Sequence, residues 1–286
     1  MQNKIVIVTG ANAGMGLATT IELAKLGAHV IMACRSRERG QQALADAINQ
    51  SGSNLIELMI LDLSSIASIH DFAQAFKAKY DRLDVLINNA GVVSLKRATT
   101  KDGFELMMGV NHLGHFLLTN LLLDVLKHAP QGRIINVASG AHKSGTINFQ
   151  DLYLTNGYNV WKGYANSKLA NILFTKQLAH RLKGTNITVN SLHPGTVGTQ
   201  IGINRETGFG KSIWAVIRPF FLTAAKGSET AVYLASSEEG GTVTGEYFYK
   251  KKIAPITSKA GNPQLAEQFW IWSEREVKLN THPNSV

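Results

Sequence analysis

The chain has 286 residues, 44% of them hydrophobic and 17% charged, a balance that excludes a disordered polymer and an integral membrane protein and suits one α/β domain. Its formal net charge of +9 admits nucleic acid, an anionic surface or a phosphorylated cofactor, but the basic residues are dispersed and no helix-turn-helix, zinc-finger or RNP-like segment is present, so nucleic acid is set aside. The single cysteine, Cys34, excludes an intramolecular disulfide and fits a reducing, cytoplasmic setting.

The first apolar run, Lys4–Thr9, reads as a strand starting so near the first residue that no secretory signal is expected. It leads into Thr9-Gly10-Ala-Asn12-Ala-Gly14-Met15-Gly16 and then a helical pattern. Glycines between strand and helix let backbone N–H groups and a helix N-terminus approach a pyrophosphate, which makes Gly10, Asn12, Gly14, Met15 and Gly16 candidate cofactor contacts. A second strand, Ala28–Ala33, is followed by Cys34-Arg35-Ser36-Arg37. An NAD enzyme would place a carboxylate here for the ribose hydroxyls. Arg35, helped by Ser36, instead offers a guanidinium to a 2′-phosphate, so NADP(H) is the expected cofactor. Arg37 fits that contact and a solvated place on the next helix equally well.

A third strand, Asn54–Leu61, ends at Asp62-Leu63, and a fourth, Leu83–Asn88, at Asn88-Asn89-Ala90-Gly91, whose residues supply turn chemistry and close backbone approach. The stretch 109–116 reads as helix, a setting in which Asn111 has poor propensity. His112 and His115 are spaced i,i+3, yet no carboxylate or third ligand accompanies them and no metal is expected. The strand Gly132–Ala138 runs out to Ser139, either a terminal cap or a hydroxyl for a substrate oxygen. His142 nearby suggests a hydrolase, but no Gly-x-Ser-x-Gly surrounds Ser139. Tyr164 and Lys168 stand four apart on one helix face and form an acid/base pair, since a neighbouring cation favours the phenolate. After a strand Asn186–Leu192, the turn His193-Pro194-Gly195 presents Thr196, Val197 and Thr199. Residues 196–227 then read as a glycine-punctuated loop with an apolar segment, Ser212–Leu222, before a strand Gly245–Tyr249 and a helix Gln264–Lys278. Alternating apolar runs and amphipathic stretches predict a doubly wound, Rossmann-type parallel sheet with helices on both faces, one domain over 1–286.

Taken together, these motifs resemble the short-chain dehydrogenase/reductase family over nearly the whole chain. Thr9-Gly-Ala-Asn12, Ala33-Cys-Arg35, the run from Tyr164 to Phe174, and His193-Pro-Gly-Thr-Val197 are similar to its retinol-dehydrogenase-like branch, itself similar to light-dependent protochlorophyllide reductases. The resemblance implies an NADP(H)-dependent oxidoreductase. In it Ser139 orients a carbonyl, Tyr164 is the general acid/base, Lys168 lowers the Tyr164 pKa and binds the nicotinamide ribose, and Asn111 keeps a water that relays a proton to Lys168. It also implies Asp62 and Leu63 beside the adenine, Asn89, Ala90 and Gly91 along the cofactor cleft, and Pro194, Gly195, Thr196, Val197 and Thr199 by the carboxamide. A homo-oligomer is a further arrangement it allows.

Ser139 and Tyr164 are separated by 25 positions, a longer interval than many members of the family show. The insert, 140–162, carries Ile147, Phe149, Leu152, Tyr153, Tyr158 and Trp161, a set suited to walling a hydrophobic substrate such as a retinal-like or long-chain aldehyde or a bulky ketone. No amino-terminal apolar anchor is read, which sets the chain apart from membrane-bound retinol dehydrogenases. The region 196–227 reads as a substrate lid, with contact to a membrane surface by 211–221 as the alternative. Two rival functions stand beside the reductase: an NADP(H)-binding sensor without turnover, and a light-driven tetrapyrrole reductase.

Overall fold

The computed structural model describes residues 1–195 and 224–279. Its strands are β1 (Ile5–Thr9), β2 (His29–Cys34), β3 (Ile56–Ile60), β4 (Val85–Asn88), β5 (Gly132–Val137), β6 (Ile187–His193), β7 (Tyr247–Tyr249) and β8 (Lys252–Ile253). They form one sheet in the order β3-β2-β1-β4-β5-β6-β7-β8, parallel from β3 to β7 and antiparallel at β8. The helices are α1 (Gly14–Lys25), α2 (Arg37–Ser51), α3 (Ile66–Lys79), α4 (Leu106–Met108), α5 (Gly114–Leu121), α6 (Leu123–Lys127), α7 (Val160–Arg181), α8 (Ala224–Ser236), α9 (Glu238–Thr242) and α10 (Pro263–Glu276).

The unbroken apolar runs of β1 and β4 follow from burial on both faces. Successive side chains of a strand point to opposite sides, and here each side has its own core. Ile7 packs with Ile31, Leu86 and the Phe76 and Phe116 rings from α3 and α5, while Val6 and Val8 pack with Val30, Met32 and Ile87 beneath α1, α2 and α8. Phe76 and Phe116 are fully buried, each worth about 1.5–3 kcal/mol relative to exposure. On the same face α10 is started by Pro263 and by the Asn262 side chain, which accepts from the Leu265 N–H at 2.8 Å. Its Trp270 ring meets Phe116 at 4.8 Å and Phe174 of α7 at 5.9 Å between centroids.

The chain moves outward from β1 to β2 and β3, then crosses back to place β4 on the other side of β1. That reversal opens a crevice beyond the carboxyl ends of β1 and β4, the usual ligand position in such a sheet. At the far edge, the hairpin joining β7 to β8 turns through Lys250 and Lys251, at φ +51° and +62°. Both central residues are left-handed, as a two-residue hairpin of matching twist requires. Glu229 pairs with Lys251 at 2.9 Å and the Thr230 hydroxyl accepts its N–H at 3.3 Å.

Each strand read from the sequence is present within one or two residues of its expected ends, β2 and β6 running one residue further, to Cys34 and His193. Two local differences stand out. The expected helix over 109–116 is interrupted by a π-turn, Gly109–Leu113, in which the Gly114 N–H reaches back to the Gly109 carbonyl. The expected loop 196–227 is helical at its end, because Ala224–Gly227 open α8. Residues 196–223 lie outside the described residues, including Thr196, Val197, Thr199 and the stretch 211–221. Among the described residues no helix is long and apolar enough to cross a membrane.

Candidate active site

Side chains of Thr9 and Asn89 tie the end of β1 to the turn after β4. The Thr9 hydroxyl accepts the N–H groups of Asn89 and Ala90, both at 2.9 Å, and the Asn89 amide donates back to the Thr9 carbonyl at 2.7 Å. Gly10 and Gly14 adopt φ +65° and +55°. A Cβ on Gly16 would lie 2.4 Å from the Gly10 carbonyl oxygen and 2.6 Å from Asn89 Nδ2, so the first turn of α1 can sit this close only with glycine there. Ala13, at the N-cap of α1, offers no side-chain bond, which leaves the first N–H groups free for an anion. The Cys34 thiol accepts from Ala11 and Asn12; burial pushes it up to about 12, against the pull of those two N–H groups.

At the end of β2, Arg35 is exposed and Ser36 caps α2, its hydroxyl accepting from Arg39 N–H at 3.4 Å. No carboxylate occupies this strand end. Burial would raise the Asp62 carboxyl, but hydrogen bonds from the Ser64 side chain and backbone and the Lys101 ammonium at 3.0 Å outweigh it and hold the group below its ordinary range. Leu63 is buried, and a Cβ on Gly114 would come within 2.6 Å of its carbonyl oxygen. Open N–H groups, close-approach glycines and an exposed guanidinium fit a phosphorylated dinucleotide.

The second half of the site lies where β4, β5, the π-turn and α7 converge. Asn111 is fully buried; its Oδ1 accepts from Val92 N–H at 2.8 Å, and its Nδ2 donates to the Val92 carbonyl at 3.1 Å and to the Ser167 hydroxyl at 3.0 Å. One residue on, Lys168 is 4% exposed and donates to the Val137 carbonyl at 3.1 Å, which also accepts from Asn171 at 3.0 Å. Gly91 lies beside these groups: a Cβ there would stand in ordinary contact, 3.6 Å from Asn111 Oδ1 and 3.7 Å from Lys168 Nζ. Ser139 lies two residues past β5, its hydroxyl accepting from Ala141 N–H at 3.2 Å and hydrogen-bonding the Tyr164 phenol. Behind them runs a buried ladder in which Asn88 donates to Thr119 and Asn136, Asn136 to Thr175, and Thr175 to the Asn171 carbonyl. It locks β4 and β5 to α7 and so fixes Tyr164 and Lys168 relative to the sheet.

A family model described as short chain dehydrogenase matches residues 4–208 of this sequence. The chain belongs to the short-chain dehydrogenase family. It is an oxidoreductase acting on CH–OH or C=O groups, of the retinol-dehydrogenase-like branch. It is 45% identical to human retinol dehydrogenase 14 over 98% of its own length and 88% of the relative's, and 44% identical to human retinol dehydrogenase 13 over 96% and 85%. A solved structure from Mycobacterium paratuberculosis superposes with a TM-score of 0.79 at 33% identity, covering 97% of this chain and 94% of that one. A short chain dehydrogenase from Escherichia coli CFT073, crystallised with NADPH, shares the fold at a TM-score of 0.68 and 24% identity over 87% and 96%.

In this short-chain dehydrogenase the electrostatics differ from the expectation that Lys168 sets the Tyr164 pKa. Burial raises the phenol above its ordinary value, the Ser139 hydrogen bond pulls it back, and burial brings Lys168 down to about 8. The two histidines of the π-turn region have separate partners, His112 Nε2 on Ser273 Oγ at 2.9 Å and His115 Nε2 on Thr9 Oγ1 at 2.9 Å. Burial takes them down to about 3 and about 4.

The insert divides its apolar residues. Leu152 is buried in the core, and Tyr153 stacks on Phe104 and donates to Glu276 at 2.6 Å, so both join the insert to α10. Tyr158 donates to the Ser94 carbonyl at 2.6 Å, and Trp161 donates to the Ser144 hydroxyl at 3.0 Å. Phe149 and Trp161 remain 43% and 57% exposed, as does Leu95 at 56%. Trp161 lies one helical turn before Tyr164. Thr9, Ser167 and the Val137 carbonyl were not singled out from the sequence as site residues. Only Thr9 had a usable signal, its place immediately before the glycine turn.

Proposed function

We propose that this chain is an NADP(H)-dependent oxidoreductase that interconverts an apolar aldehyde or ketone and its alcohol. The observation that carries the reading is the convergence of Ser139, Tyr164, Lys168 and Asn111 at the end of a crevice that begins with an uncapped, glycine-opened helix terminus. When bound, the dinucleotide supplies or takes up the hydride. Ser139 holds the substrate oxygen, and Tyr164 gives that oxygen a proton in reduction or removes it in oxidation. Lys168, buried with a lowered pKa, restores the Tyr164 proton, and Asn111 orders the path between them. Gly10, Asn12, Gly14, Met15 and Gly16 take the pyrophosphate, Arg35 and Ser36 the 2′-phosphate, and Asp62 and Leu63 the adenine side. Asn89, Ala90, Gly91, Pro194 and Gly195 line the nicotinamide side; Thr196, Val197 and Thr199, outside the described residues, are assigned to it on the resemblance alone.

An apolar substrate is supported by the exposed Leu95, Phe149 and Trp161, and by the names of the similar retinol dehydrogenases. The test follows nicotinamide absorbance with NADPH and NADH against retinal, long-chain aldehydes, quinones and ketosteroids, in light and dark, with Tyr164→Phe as control. Turnover with NADPH that vanishes in the variant supports the reading. Equal turnover by Tyr164→Phe refutes it, and tight NADPH binding without any turnover favours a sensor.

A further inference from the structure

His115 has no place in the reaction described above, yet it is almost fully buried between Thr9 and Asn111. Its Nδ1 lies 3.1 Å from the Asn111 carbonyl oxygen. A carbonyl can only accept, so Nδ1 carries the proton and Nε2 presents a lone pair. That lone pair faces the Thr9 hydroxyl at 2.9 Å, and Thr9 must be the donor. The same hydroxyl accepts the Asn89 and Ala90 N–H groups. One imidazole in one tautomer thus joins two structures. Through Thr9 it sets the Asn89-Ala90 loop against the glycine turn. Through the Asn111 carbonyl it holds the π-turn whose side chain spans Val92 and Ser167, next to Lys168.

We infer that His115 is a positioning residue with two separable tasks, its Nε2 arm shaping the cofactor crevice and its Nδ1 arm holding Asn111 for proton transfer. The inference rests on the proposed function, on its NADP(H) cofactor for the first task and on its reaction for the second. The chemistry allows each arm to be kept without the other. In His115→Gln the amide oxygen reaches the Nε2 position and still accepts from Thr9, while the bond to Asn111 is lost. In His115→Asn the shorter amide donates to the Asn111 carbonyl, and Thr9 loses its short acceptor and is left with the Ile87 carbonyl at 3.4 Å. Asn120 in the same helix already makes that i to i−4 bond, to the Phe116 carbonyl at 2.8 Å, so an asparagine here has the reach.

The experiment measures the NADPH dissociation constant by fluorescence, kcat at saturating NADPH, and thermal midpoint for the wild type and both variants. His115→Gln should bind NADPH within about twofold of wild type and lose roughly tenfold in kcat, whereas His115→Asn should lose roughly tenfold in NADPH affinity and keep most of its kcat. Losses that run in parallel in both variants and track the thermal midpoint reduce His115 to a packing residue and overturn the inference. So does wild-type behaviour in both. The binding arm and the nitrogen-15 signature of an Nδ1–H imidazole need no substrate. If the wild type turns over nothing, the reductase reading fails while these two readouts still decide the Nε2 arm.

Discussion

The Lys168 ammonium stands 5.6 Å from the centroid of the Tyr164 ring and spends its hydrogen bond on the Val137 carbonyl. Lys168 therefore faces the Tyr164 ring while the Ser139 hydroxyl bonds the phenol oxygen. The consequences can be measured separately.

For Lys168, burial lowers the folded pKa to about 8 from an ordinary 10.5. Below about pH 8 both folded and unfolded chains hold the proton, and the folded state carries the full cost of the buried charge. As pH rises from 8 toward 10.5 the folded state binds fewer protons than the unfolded one and that cost disappears, so this group makes stability rise with pH. Lys168→Met should be more stable than wild type at pH 7 by on the order of 2 kcal/mol, with the gap closing by pH 10. Urea titrations at the two pH values check it, and parallel curves would show that the charge is not buried in this way.

For Ser139, loss of its hydrogen bond removes the influence that pulls the Tyr164 phenol down. Ser139→Ala should lower kcat about a hundredfold. In alcohol oxidation, where the phenolate is the active form, its rising limb should move to higher pH. A pH–rate profile with the limb unmoved would separate Ser139 from the Tyr164 titration.

For Arg35, the guanidinium at the end of β2 is exposed. Arg35→Asp should weaken NADPH by about ten- to a hundredfold and leave NADH little changed. Because the contact is exposed, raising the salt concentration should weaken NADPH binding to the wild type as well. Unchanged NADPH/NADH preference in the variant contradicts the role.

For Gly16, a methyl group would press on the Gly10 carbonyl at 2.4 Å and on the Asn89 amide at 2.6 Å. Gly16→Ala should cost about 1–3 kcal/mol in stability and weaken both dinucleotides together. A thermal melt and a fluorescence titration report the two effects. Wild-type affinity would mean that the turn can widen without consequence.

The fold was legible because its signal is long and repeated: β1, β4 and β5 are apolar on both faces, and the helices between them are amphipathic. The acid/base residues were legible for another reason. Tyr164 and Lys168 sit on one helix at fixed spacing, and Ser139 follows a strand. What was not legible depends on backbone geometry or on contacts distant in sequence. The π-turn at Asn111 was not legible, because poor helix propensity at one residue does not specify the bond from the Gly114 N–H to the Gly109 carbonyl. The inward course of Leu152 and Tyr153 depends on Phe104, Trp272 and Glu276, residues from elements far along the chain. The spacing of His112 and His115 left their partners unread: the π-turn carries the His112 ring toward Ser273 of α10, and α5 carries the His115 ring toward Thr9 of β1.

The lysine hairpin closing the sheet has a consequence for how copies of this protein meet. A two-residue final strand exposes very few unpaired backbone groups, and a strand from another molecule approaching that edge would have to bury charge from Lys250, Lys251 and Lys252. Ile253, although 53% exposed, sits within that basic tip and gives a poor template for ladder growth. The sheet is thus self-terminating on this side, which guards a concentrated solution of the protein against fibrous stacking from this edge.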